Sequence, residues 1–573
     1  MKTSDYIAEY LERRGTRFVF ELVGGMITHL LDSISRRTNI EIISMHHEQG
    51  AAFAAEGFAR IKGEPGIALA SSGPGATNLI TGIGSCYYDS VPSIFITGQV
   101  NTTEKKGNLP IRQLGFQETD ICSIIKPLVK SAFIVESPES IPHILDEAFS
   151  ISTSGRPGPV LIDIPMDIQR AEINDLNWPD KSTRTNKFDY SFFERLFLAL
   201  INTKSPLVLA GGGIRSSNSI NAFRKFIQNL EIPVVFSLMG VDVLPYADAS
   251  RVGMIGSYGN RWANTALAES DLLIVLGSRL DIRQTGSRTD LFKSNRKIFH
   301  VDCDEGEVNN RIKGCDYSIM NLNTFLEEFN QFLINKKTKL IIDPWKNRIK
   351  LLKDKFPDIK EHNNAKGINP NALIHLISKH ASTTTAFIVD VGQHQMWAAQ
   401  SIELSENQRF ITSGGMGAMG FALPAGIGAS FANNRSCVTV IAGDGGFQLN
   451  IQELQTIVRN NLPVKIIILN NNAHGMVRQF QESYFESRYQ STVDGYSAPS
   501  FTKIALAYGI KSHYVSNNNE LDHALKDLYS NPFEPRLLEI FIDTQTNAYP
   551  KMAFGRPINE MEPDFESLDL EST

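Results

Sequence analysis

Residues that could do chemistry stand out in the last third of the chain, where a Gly-Asp-Gly motif precedes a run of asparagines. Gly443, Asp444 and Gly445 follow the apolar segment 437–442, which reads as a buried strand. Glycines at a strand end let backbone amides approach phosphate oxygens, and the aspartate supplies a hard anionic oxygen. Asn471 lies 471 − 444 = 27 positions downstream, enough for one helix and a return to the neighbouring parallel strand. Alone, Gly-Asp-Gly is more typical of a surface turn; with the asparagines it predicts a diphosphate held by magnesium.

A second segment, residues 46–52, reads His-His-Glu-Gln-Gly-Ala-Ala. With this segment and the diphosphate motif, the sequence resembles the catalytic subunit of acetolactate synthase, a thiamine diphosphate (ThDP) enzyme, from about residue 1 to residue 550. The resemblance implies an α/β fold of three doubly wound parallel-sheet domains, and the alternation of short apolar runs with amphipathic stretches favours the same class. Polar residues 177–189 read as a linker. The expected units are a pyrimidine-binding domain (1–180), a central FAD-binding-like domain (190–340), a diphosphate-binding domain (365–550) and a C-terminal tail (551–573).

Glu48 is the first candidate catalytic residue. Thiamine chemistry needs a carboxyl group hydrogen-bonded to the aminopyrimidine ring nitrogen, because that contact favours the imino tautomer whose exocyclic nitrogen removes the thiazolium proton. An isolated glutamate at the start of a helix would more often interact with the helix macrodipole. The match of the surrounding segment to the family pattern favours the catalytic role. Glu48 also separates the chain from glyoxylate carboligases, which resemble this family and lack that carboxylate.

The first block holds further residues that the resemblance places around the pyrimidine and the reacting centre. A Gly-Pro-Gly turn within residues 71–78 follows an apolar run, and such a turn can approach a ligand without side-chain obstruction. Phe116 has a competing interpretation as an ordinary core residue. The resemblance implies catalytic roles for Gln99, Phe116 and Gln117, cofactor contacts for Gly24, Pro74 and Asn78, and a substrate contact for Lys130.

The third block is expected to bind the other end of the cofactor. Backbone amides and the side chains of Gln393 and His394, which follow an apolar run, can reach diphosphate oxygens. By resemblance, Met419 wedges between the two cofactor rings and forces their bent arrangement; the alternative is ordinary core filling. The cofactor-binding residues implied here are Gly392, Gln393, His394, Gly417, Met419, Gly443, Gly445, Gly446, Gly475 and Met476, and the implied metal ligands are Asp444, Asn471 and Ala473.

The middle block predicts a flavin site. Glycine-rich turns follow its apolar runs, and such junctions are where α/β sheets bind nucleotides. FAD is the implied ligand, although acetolactate synthases transfer no net electrons, so its binding would not make the chain an oxidoreductase. The alternative is a nucleotide-type fold that has lost its ligand. The implied FAD-binding residues are Gly211, Gly212, Gly213, Gly277, Arg279, Arg283 and Asp302.

Several departures from the family pattern lie at positions that line the flavin and the second-substrate pocket. Ser257 and Tyr258 stand where the family carries Met-His, and Ile282 stands where it carries a second Asp. Phe480 replaces a Trp that favours 2-ketobutyrate as acceptor in the family, so a reshaped apolar wall is expected. By resemblance, Arg283 and Phe480 contact substrate. The ending 550–559 is more similar to carboligases that add a two-carbon branch to a nucleotide-linked keto-sugar.

Composition bounds the function classes. The chain has 573 residues and a net charge of -6 with a pI near 6.1, which gives no basic field for nucleic acid. No run of 18 apolar residues suggests a membrane span, and the opening residues lack a secretory core. The five scattered cysteines fit reduced thiols in the cytoplasm.

The resulting functional hypothesis is a ThDP-dependent carboligase. It would decarboxylate pyruvate and add the resulting two-carbon acyl-anion unit to a ketone, giving 2-acetolactate when the acceptor is a second pyruvate. The alternatives are a keto-sugar acceptor, a flavin oxidoreductase of the pyruvate oxidase kind, and a non-catalytic partner subunit. The family plan also implies a homodimer or homotetramer with active sites at the subunit interface, and allows a separate regulatory subunit.

Overall fold

The computed structural model describes residues 1–173, 190–334, 336, 340–363 and 365–564. The predicted linker over 177–189 lies outside the described residues. The described residues form three six-stranded sheets, with helices between successive strands. Within each of these sheets, neighbouring strands pair in parallel. The predicted fold class is therefore confirmed. Within the described ranges, none of the helices combines the length and apolar character needed to cross a bilayer.

The first sheet is formed by six strands between residues 18 and 165. They are β1 (Phe18–Leu22), β2 (Glu41–Ser44), β3 (Gly66–Ala70), β4 (Ser93–Gln99), β5 (Ser131–Ile134) and β6 (Pro159–Pro165). The helices are α1 (Thr3–Arg13), α2 (Thr28–Arg37), α3 (Glu48–Lys62), α4 (Pro74–Asn78), α5 (Ile80–Asp89), α6 (Ile121–Ile125), α7 (Ile141–Thr153) and α8 (Met166–Arg170). The strand order is β2-β1-β3-β4-β6-β5. The inner strands β3, β4 and β6 are buried throughout, as expected where helices cover both faces of a parallel sheet.

The middle sheet has a different plan. Its strands are β7 (Pro206–Ala210), β8 (Val234–Phe236), β9 (Arg251–Met254), β10 (Leu272–Leu276), β11 (Lys297–Asp302) and β12 (Asp316–Ile319). Its helices are α9 (Tyr190–Asn202), α10 (Gly213–Ser216), α11 (Ile220–Leu230), α12 (Arg261–Glu269), α13 (Ile282–Thr285), α14 (Thr289–Lys293), α15 (Leu322–Ile334) and α16 (Asp343–Lys355). The order β12-β11-β10-β7-β8-β9 reverses direction between β7 and β10. Helix α16 packs in this core, so the described middle unit extends past residue 340.

The third sheet repeats the order of the first. Its strands are β13 (Ala386–Val389), β14 (Arg409–Thr412), β15 (Val438–Gly443), β16 (Val464–Asn470), β17 (Lys511–Val515) and β18 (Arg536–Phe541). Its helices are α17 (Pro370–His380), α18 (Gln393–Ser401), α19 (Ala422–Ala432), α20 (Asp444–Gln448), α21 (Leu454–Arg459), α22 (Gly475–Tyr484), α23 (Phe501–Ala507) and α24 (Asn518–Tyr529). The order β14-β13-β15-β16-β18-β17 matches the first sheet strand for strand. The first and third units therefore share one plan that the middle unit lacks.

Helices α3 and α19 join the first and third units. A Cβ added to Gly57 would lie 2.1 Å from the carbonyl oxygen of Ala425, and one added to Gly428 would lie 1.8 Å from that of Ala54. The two backbones approach this closely only because both positions lack a side chain. One apolar core runs through both units across this contact, and it fixes α3, which begins at Glu48, against the third unit.

The segment after residue 550 folds onto the middle unit. Strands β19 (Lys551–Met552) and β20 (Met561–Glu562) form an antiparallel pair. The buried Arg261 pairs with Glu361 at 2.8 Å and donates to the carbonyl oxygen of Met561 at 3.0 Å. The expected C-terminal tail thus begins with an ordered hairpin, and its last residues, 565–573, lie outside the described part.

Candidate active site

The diphosphate motif lies at the carboxyl ends of two neighbouring strands. Strands β15 and β16 pair in parallel, with Gly443 opposite Leu469. Asp444 begins α20 directly after β15, and Asn471 directly follows β16. The spacing of 27 positions therefore corresponds to one crossover, as the sequence predicts. Both side chains are buried at the same edge of the sheet.

Oxygen atoms suited to a hard cation gather at this edge. The Asp444 carboxylate is 2% exposed, and its Oδ2 accepts from the Tyr496 hydroxyl at 3.0 Å. Burial raises the pKa of Asp444 to about 6, against the lowering effect of hydrogen bonds from Tyr496 and from backbone amides that include Ala473. Asn471 Oδ1 accepts from the Ala473 amide at 3.2 Å. The structure thus brings the three predicted metal ligands together.

The oxygen atoms around Asp444 are ligands of the kind that magnesium binds. The described residues hold no group of three or more His, Cys, Asp or Glu side chains able to bind a metal. A cation beside Asp444 would therefore take its other ligands from an amide, from the main chain and from the diphosphate itself, all of them oxygens of the kind that Mg²⁺ prefers. A nearby cation would also favour the charged form of a carboxylate that burial disfavours.

His394 offers a second test of the diphosphate site. Its ring lies against two predicted glycines: a Cβ on Gly392 would be 2.7 Å from Cε1, and a Cβ on Gly443 would be 3.0 Å from it. Burial lowers the pKa of His394 to about 3, so the ring is neutral. Its Nε2 is buried and has no hydrogen-bond partner among the described residues. A phosphate oxygen would supply the missing partner, because an orphaned buried polar atom is costly.

Gln393 makes three side-chain hydrogen bonds within the protein. Its Nε2 donates to Gln479 and to the carbonyl oxygen of Thr546, and its Oε1 accepts from Asn471 at 3.1 Å. The side chain therefore braces the predicted ligand Asn471. The same oxygen explains why position 475 is a glycine, because an added Cβ would lie 2.0 Å from Gln393 Oε1.

Glu48 lies at the first position of α3, next to the 71–78 turn. Its side chain is mostly buried, and Oε2 accepts from Asn78 Nδ2 at 2.9 Å. A Cβ on Gly75 would lie 3.4 Å from Oε1. Pro74 begins α4 in this turn, and Gly24 packs against it, since a Cβ there would be 2.4 Å from the Cβ of Ser71. The structure thus brings Glu48, Asn78, Pro74 and Gly24 into one region.

The other first-unit residues have mixed placements. Phe116 is 80% exposed, so the interpretation as a core residue is wrong. Gln117 has φ +65°, and its carbonyl oxygen accepts from Ser72 at 3.0 Å, which ties the loop to the turn beside Glu48. Gln99 is buried and donates to Asp163 at 3.0 Å and to the carbonyl oxygen of Thr119 at 2.8 Å. The Gln99 side chain therefore holds the loop around Thr119 in place within the first unit.

Lys130 is bound at the end of a helix. Its ammonium donates to the carbonyl oxygens of Ile151 and Ser154, in the last turn of α7 and just beyond it. Cations are favoured at helix C-termini, where carbonyls lack partners. This contact accounts for Lys130 without a substrate.

Several remaining third-unit residues lie in or near loops at the same edge. Gly417 has φ +65°, Met419 and Met476 are half-buried, and a Cβ on Gly445 would lie 2.7 Å from the His474 ring. Gly446 packs against Asp390, with its added Cβ 3.1 Å from Oδ1.

Two residues of this region were missed by the sequence analysis. Asp390 is buried at the end of β13, and its carboxylate accepts from the amides of Val391, Gly420 and Ala422. Its place directly after an apolar run was a usable signal. Tyr496, the partner of Asp444, lies far along the chain with no motif around it, so no local signal pointed to it.

In the middle unit, the predicted glycines pack against each other at the reversal between β7 and β10. A Cβ on Gly211 would lie 2.0 Å from the carbonyl oxygen of Gly277, and one on Gly213 would lie 2.6 Å from its Cα. Gly212 packs against Met239 at 3.0 Å. Close packing of the protein itself therefore explains these glycines.

The charged residues predicted for the flavin lie at the carboxyl end of β11 or in the segment that follows β10. Asp302 is buried at the end of β11, where desolvation raises its pKa. Arg279 pairs with Asp281 at 3.5 Å. The Arg283 carbonyl oxygen accepts from the Ser257 amide at 2.7 Å, and its side chain is exposed.

Comparison with known proteins identifies the family. Three descriptions of thiamine pyrophosphate enzymes match: the N-terminal TPP binding domain over residues 1–124, the central domain over 193–328 and the C-terminal TPP binding domain over 390–540. The acetolactate synthase large subunit of Lactococcus lactis subsp. lactis is 36% identical, covering 97% of this chain and 95% of the relative.

Other relatives agree. The chloroplastic acetolactate synthase of Arabidopsis thaliana is 37% identical over 98% of this chain and 84% of its own length. The acetolactate synthase isozyme 2 large subunit of Escherichia coli is 35% identical over 98% and 99%. These relatives do not favour the keto-sugar alternative. The chain therefore belongs to the acetolactate synthase family of thiamine pyrophosphate-dependent enzymes.

Proposed function

We propose that this protein is an acetolactate synthase, which releases carbon dioxide from pyruvate and joins the remaining two-carbon unit to the keto carbon of a second molecule. The observation that carries this proposal is the Glu48 carboxylate at the start of α3, whose Oε2 accepts from Asn78 at 2.9 Å. The same chain places the buried Asp444 and Asn471 at the carboxyl ends of β15 and β16. ThDP, when bound, supplies the thiazolium carbon and the electron sink for decarboxylation. The protein's own part is to bind, orient and protonate.

Glu48 would hold a proton at the pyrimidine ring nitrogen. The Asn78 amide donates to Oε2, and the Gly75 position leaves Oε1 uncovered by a side chain. One oxygen is thus fixed while the other can face a ligand. A carboxyl group in hydrogen-bond reach of the atom that it protonates meets the first requirement for general acid–base catalysis.

Asp444, Asn471 and the carbonyl of Ala473 would hold Mg²⁺, and the cation would hold the diphosphate. The neutral His394 ring and the amides at the start of α18 and α20 would face phosphate oxygens. Gln393 keeps Asn471 in place from behind. Anchoring the charged end leaves the reacting end to be positioned by Met419 and Glu48.

An exposed aromatic surface on α22 supports the proposed acceptor site. Phe480 is 54% exposed, with its ring centre 4.6 Å from that of Tyr484. Lys551 Nζ lies 5.5 Å from the Tyr484 ring centre. The next residue along the chain donates its amide to the Ser257 carbonyl, and the Ser257 amide donates to the Arg283 carbonyl at 2.7 Å. Arg283 and Phe480 would therefore face one pocket, in which the guanidinium suits the carboxylate of a keto acid.

The decisive experiment supplies purified protein with pyruvate, ThDP and magnesium, with and without 2-ketobutyrate. We expect carbon dioxide release and 2-acetolactate among the products. Glu48→Gln should retain ThDP binding by calorimetry and lose most carbon dioxide release. Release that survives this substitution would remove Glu48 from the mechanism, and a nucleotide-linked keto-sugar used in preference to pyruvate as acceptor would reject acetolactate synthesis as the main role.

We further infer that the carboxyl edge of the middle sheet, at the β7/β10 reversal, binds FAD. In open parallel sheets, ligands bind where the strand order reverses, and Arg279, Arg283 and Asp302 lie at or after the carboxyl ends of β10 and β11. Heat denaturation of the purified protein should release a yellow chromophore. Bleaching of that chromophore by pyruvate without oxygen would instead support an oxidase. A homodimer or homotetramer, a separate regulatory subunit and a cytoplasmic location remain predictions.

A further inference from the structure

Asp89, the last residue of α5, binds a loop of the third unit. Its Oδ2 accepts from the Gly414 amide at 2.9 Å, and its Oδ1 accepts from the Gly415 amide at 2.7 Å. The side chain is 2% exposed. A buried carboxylate that accepts two consecutive backbone amides fixes both the position and the orientation of that peptide segment.

Arg60 neutralises this carboxylate from α3. Arg60 Nη2 lies 2.5 Å from Asp89 Oδ2 and 2.6 Å from Glu56 Oε1, and the Glu56 side chain is fully buried. The pairing matters because a buried charge without a partner is strongly destabilising. We call Arg60, Glu56 and Asp89 the acid–arginine clasp.

The segment held by the clasp is the loop that carries Met419. It runs from the end of β14 to the start of α19 and contains Gly417 at φ +65°. A glycine-rich loop loses much conformational freedom when it is ordered, so it needs anchors. Ser413 contacts Ser85 of α5 at 3.3 Å, which adds a second contact from the same helix.

We propose that Asp89 is a positioning residue for catalysis, which holds Met419 beside the cofactor rings by anchoring Gly414 and Gly415. The inference rests on the proposed function, because Met419 matters only if ThDP binds there. It goes beyond that function by assigning a catalytic consequence to a residue outside the motifs described above. It also gives α3 two tasks, since the helix presents Glu48 at one end and Arg60 near the other.

The first test measures the clasp directly. Asp89→Asn keeps the size of the side chain but replaces one of the two accepting oxygens with an NH2 group, which cannot accept from a backbone amide, while Arg60 retains Glu56. Hydrogen exchange at Gly414 and Gly415 should become faster in cofactor-free protein. Asp271→Asn is the matched control, because Asp271 accepts from the consecutive amides of Lys204 and Ser205 in the middle unit. Unchanged exchange in Asp89→Asn would overturn the proposal.

The second test asks whether Asp89 acts through Met419. Asp89→Asn should lower kcat by up to about 100-fold, as a displacement near 1 Å can, with the control Asp271→Asn unchanged. In Asp89→Asn/Met419→Ala, kcat should fall no further than in Met419→Ala alone. Losses that multiply, or an unchanged kcat in Asp89→Asn, would overturn the proposal.

A further variant guards against misfolding. If Asp89→Asn does not fold, Asp89→Glu, which keeps the charge and moves the carboxylate by one methylene, takes its place in both tests with the same criteria. The two proposals fail in different ways. Wild-type protein that releases no carbon dioxide from pyruvate would reject the proposed function, whereas the exchange rates of Gly414 and Gly415 report on the clasp without substrate or cofactor.

Discussion

The Asn78–Glu48 contact can be tested with two substitutions at one position. Asn78→Asp replaces the donor with a second carboxylate about 3 Å from the first, and such close like charges raise the pKa of one of the two. We expect carbon dioxide release to fall by about 100-fold, within the range attributed to a misplaced acid or base. Asn78→Ala, which removes the donor without adding charge, should show a smaller loss. Equal activity of Asn78→Asp and wild type would separate the contact from catalysis.

Asp444 predicts a pH dependence of cofactor binding. Burial raises its pKa to about 6 from an ordinary 3.8, so in the folded protein without metal the ionised form costs free energy above that pH, and protonation below it removes the cost. A cation reverses the preference because it favours the carboxylate. The rise in Tm on adding magnesium and ThDP should therefore be larger at about pH 7.5 than at about pH 5.

The control for this pH effect is Asp444→Asn. An amide does not titrate, so its smaller rise in Tm should vary much less between the two pH values. Thermal unfolding with and without the two additives measures both proteins. A wild-type rise that is the same at both pH values would contradict the assignment of Asp444 as a metal ligand.

Single residues were predictable from sequence where a strand end fixed their position. Asp444 and Asn471 each follow an apolar run directly, and parallel pairing brought them together. The partners of such residues were not predictable. Gln393 turned out to brace Asn471, and Tyr496 reaches Asp444 from 52 positions away, because tertiary packing decides contacts between residues so distant in the chain.

The contact between α3 and α19 should be intolerant of any side chain. In Gly428→Ala, the new Cβ would meet the carbonyl oxygen of Ala54, and backbone has little room to move in a packed core. We expect a loss of roughly 1–3 kcal/mol in stability, typical of overpacking, measured by denaturant unfolding. Gly84→Ala in α5 is the control, since the nearest contact of its Cβ would be the flexible end of Met416, at 3.3 Å. Equal stability of the two variants would contradict this account.

The class of each element was easier to predict than its neighbours. Apolar runs indicated the strands. The helices expected between them indicated parallel pairing, because a helical crossover returns the chain to a parallel strand. Strand order was not readable, and so the identical plans of the first and third sheets, and the reversed middle sheet, emerged only from the structure. The pairing of β19 with β20 also lacked a sequence signal, since each strand has two residues.

For the whole molecule, complementation tests whether Glu48 and Asp444 of one site come from different subunits. The exposure of Phe116, at 80%, and of Phe480, at 54%, leaves apolar surface that a second copy would cover. Mixed dimers of Glu48→Gln and Asp444→Asn would then contain one intact site. Random pairing should restore about a quarter of wild-type activity.

The readout is activity after the two inactive variants are unfolded and refolded together. Each variant refolded by itself is the control, and it should stay inactive. A mixture that also stays inactive, although mixed dimers are detected by mass, would mean that each site is built within a single chain.

The close approach of the α3 and α19 backbones at Gly57 and Gly428 limits which substitutions this protein can accept in directed evolution. Randomised libraries aimed at new keto-acid acceptors can vary Phe480 and Tyr484 of α22, whose rings lie outside the packed core of the chain. They should leave both glycines untouched, because replacement there would push the two α/β halves apart and shift Glu48 before any gain in specificity could be measured.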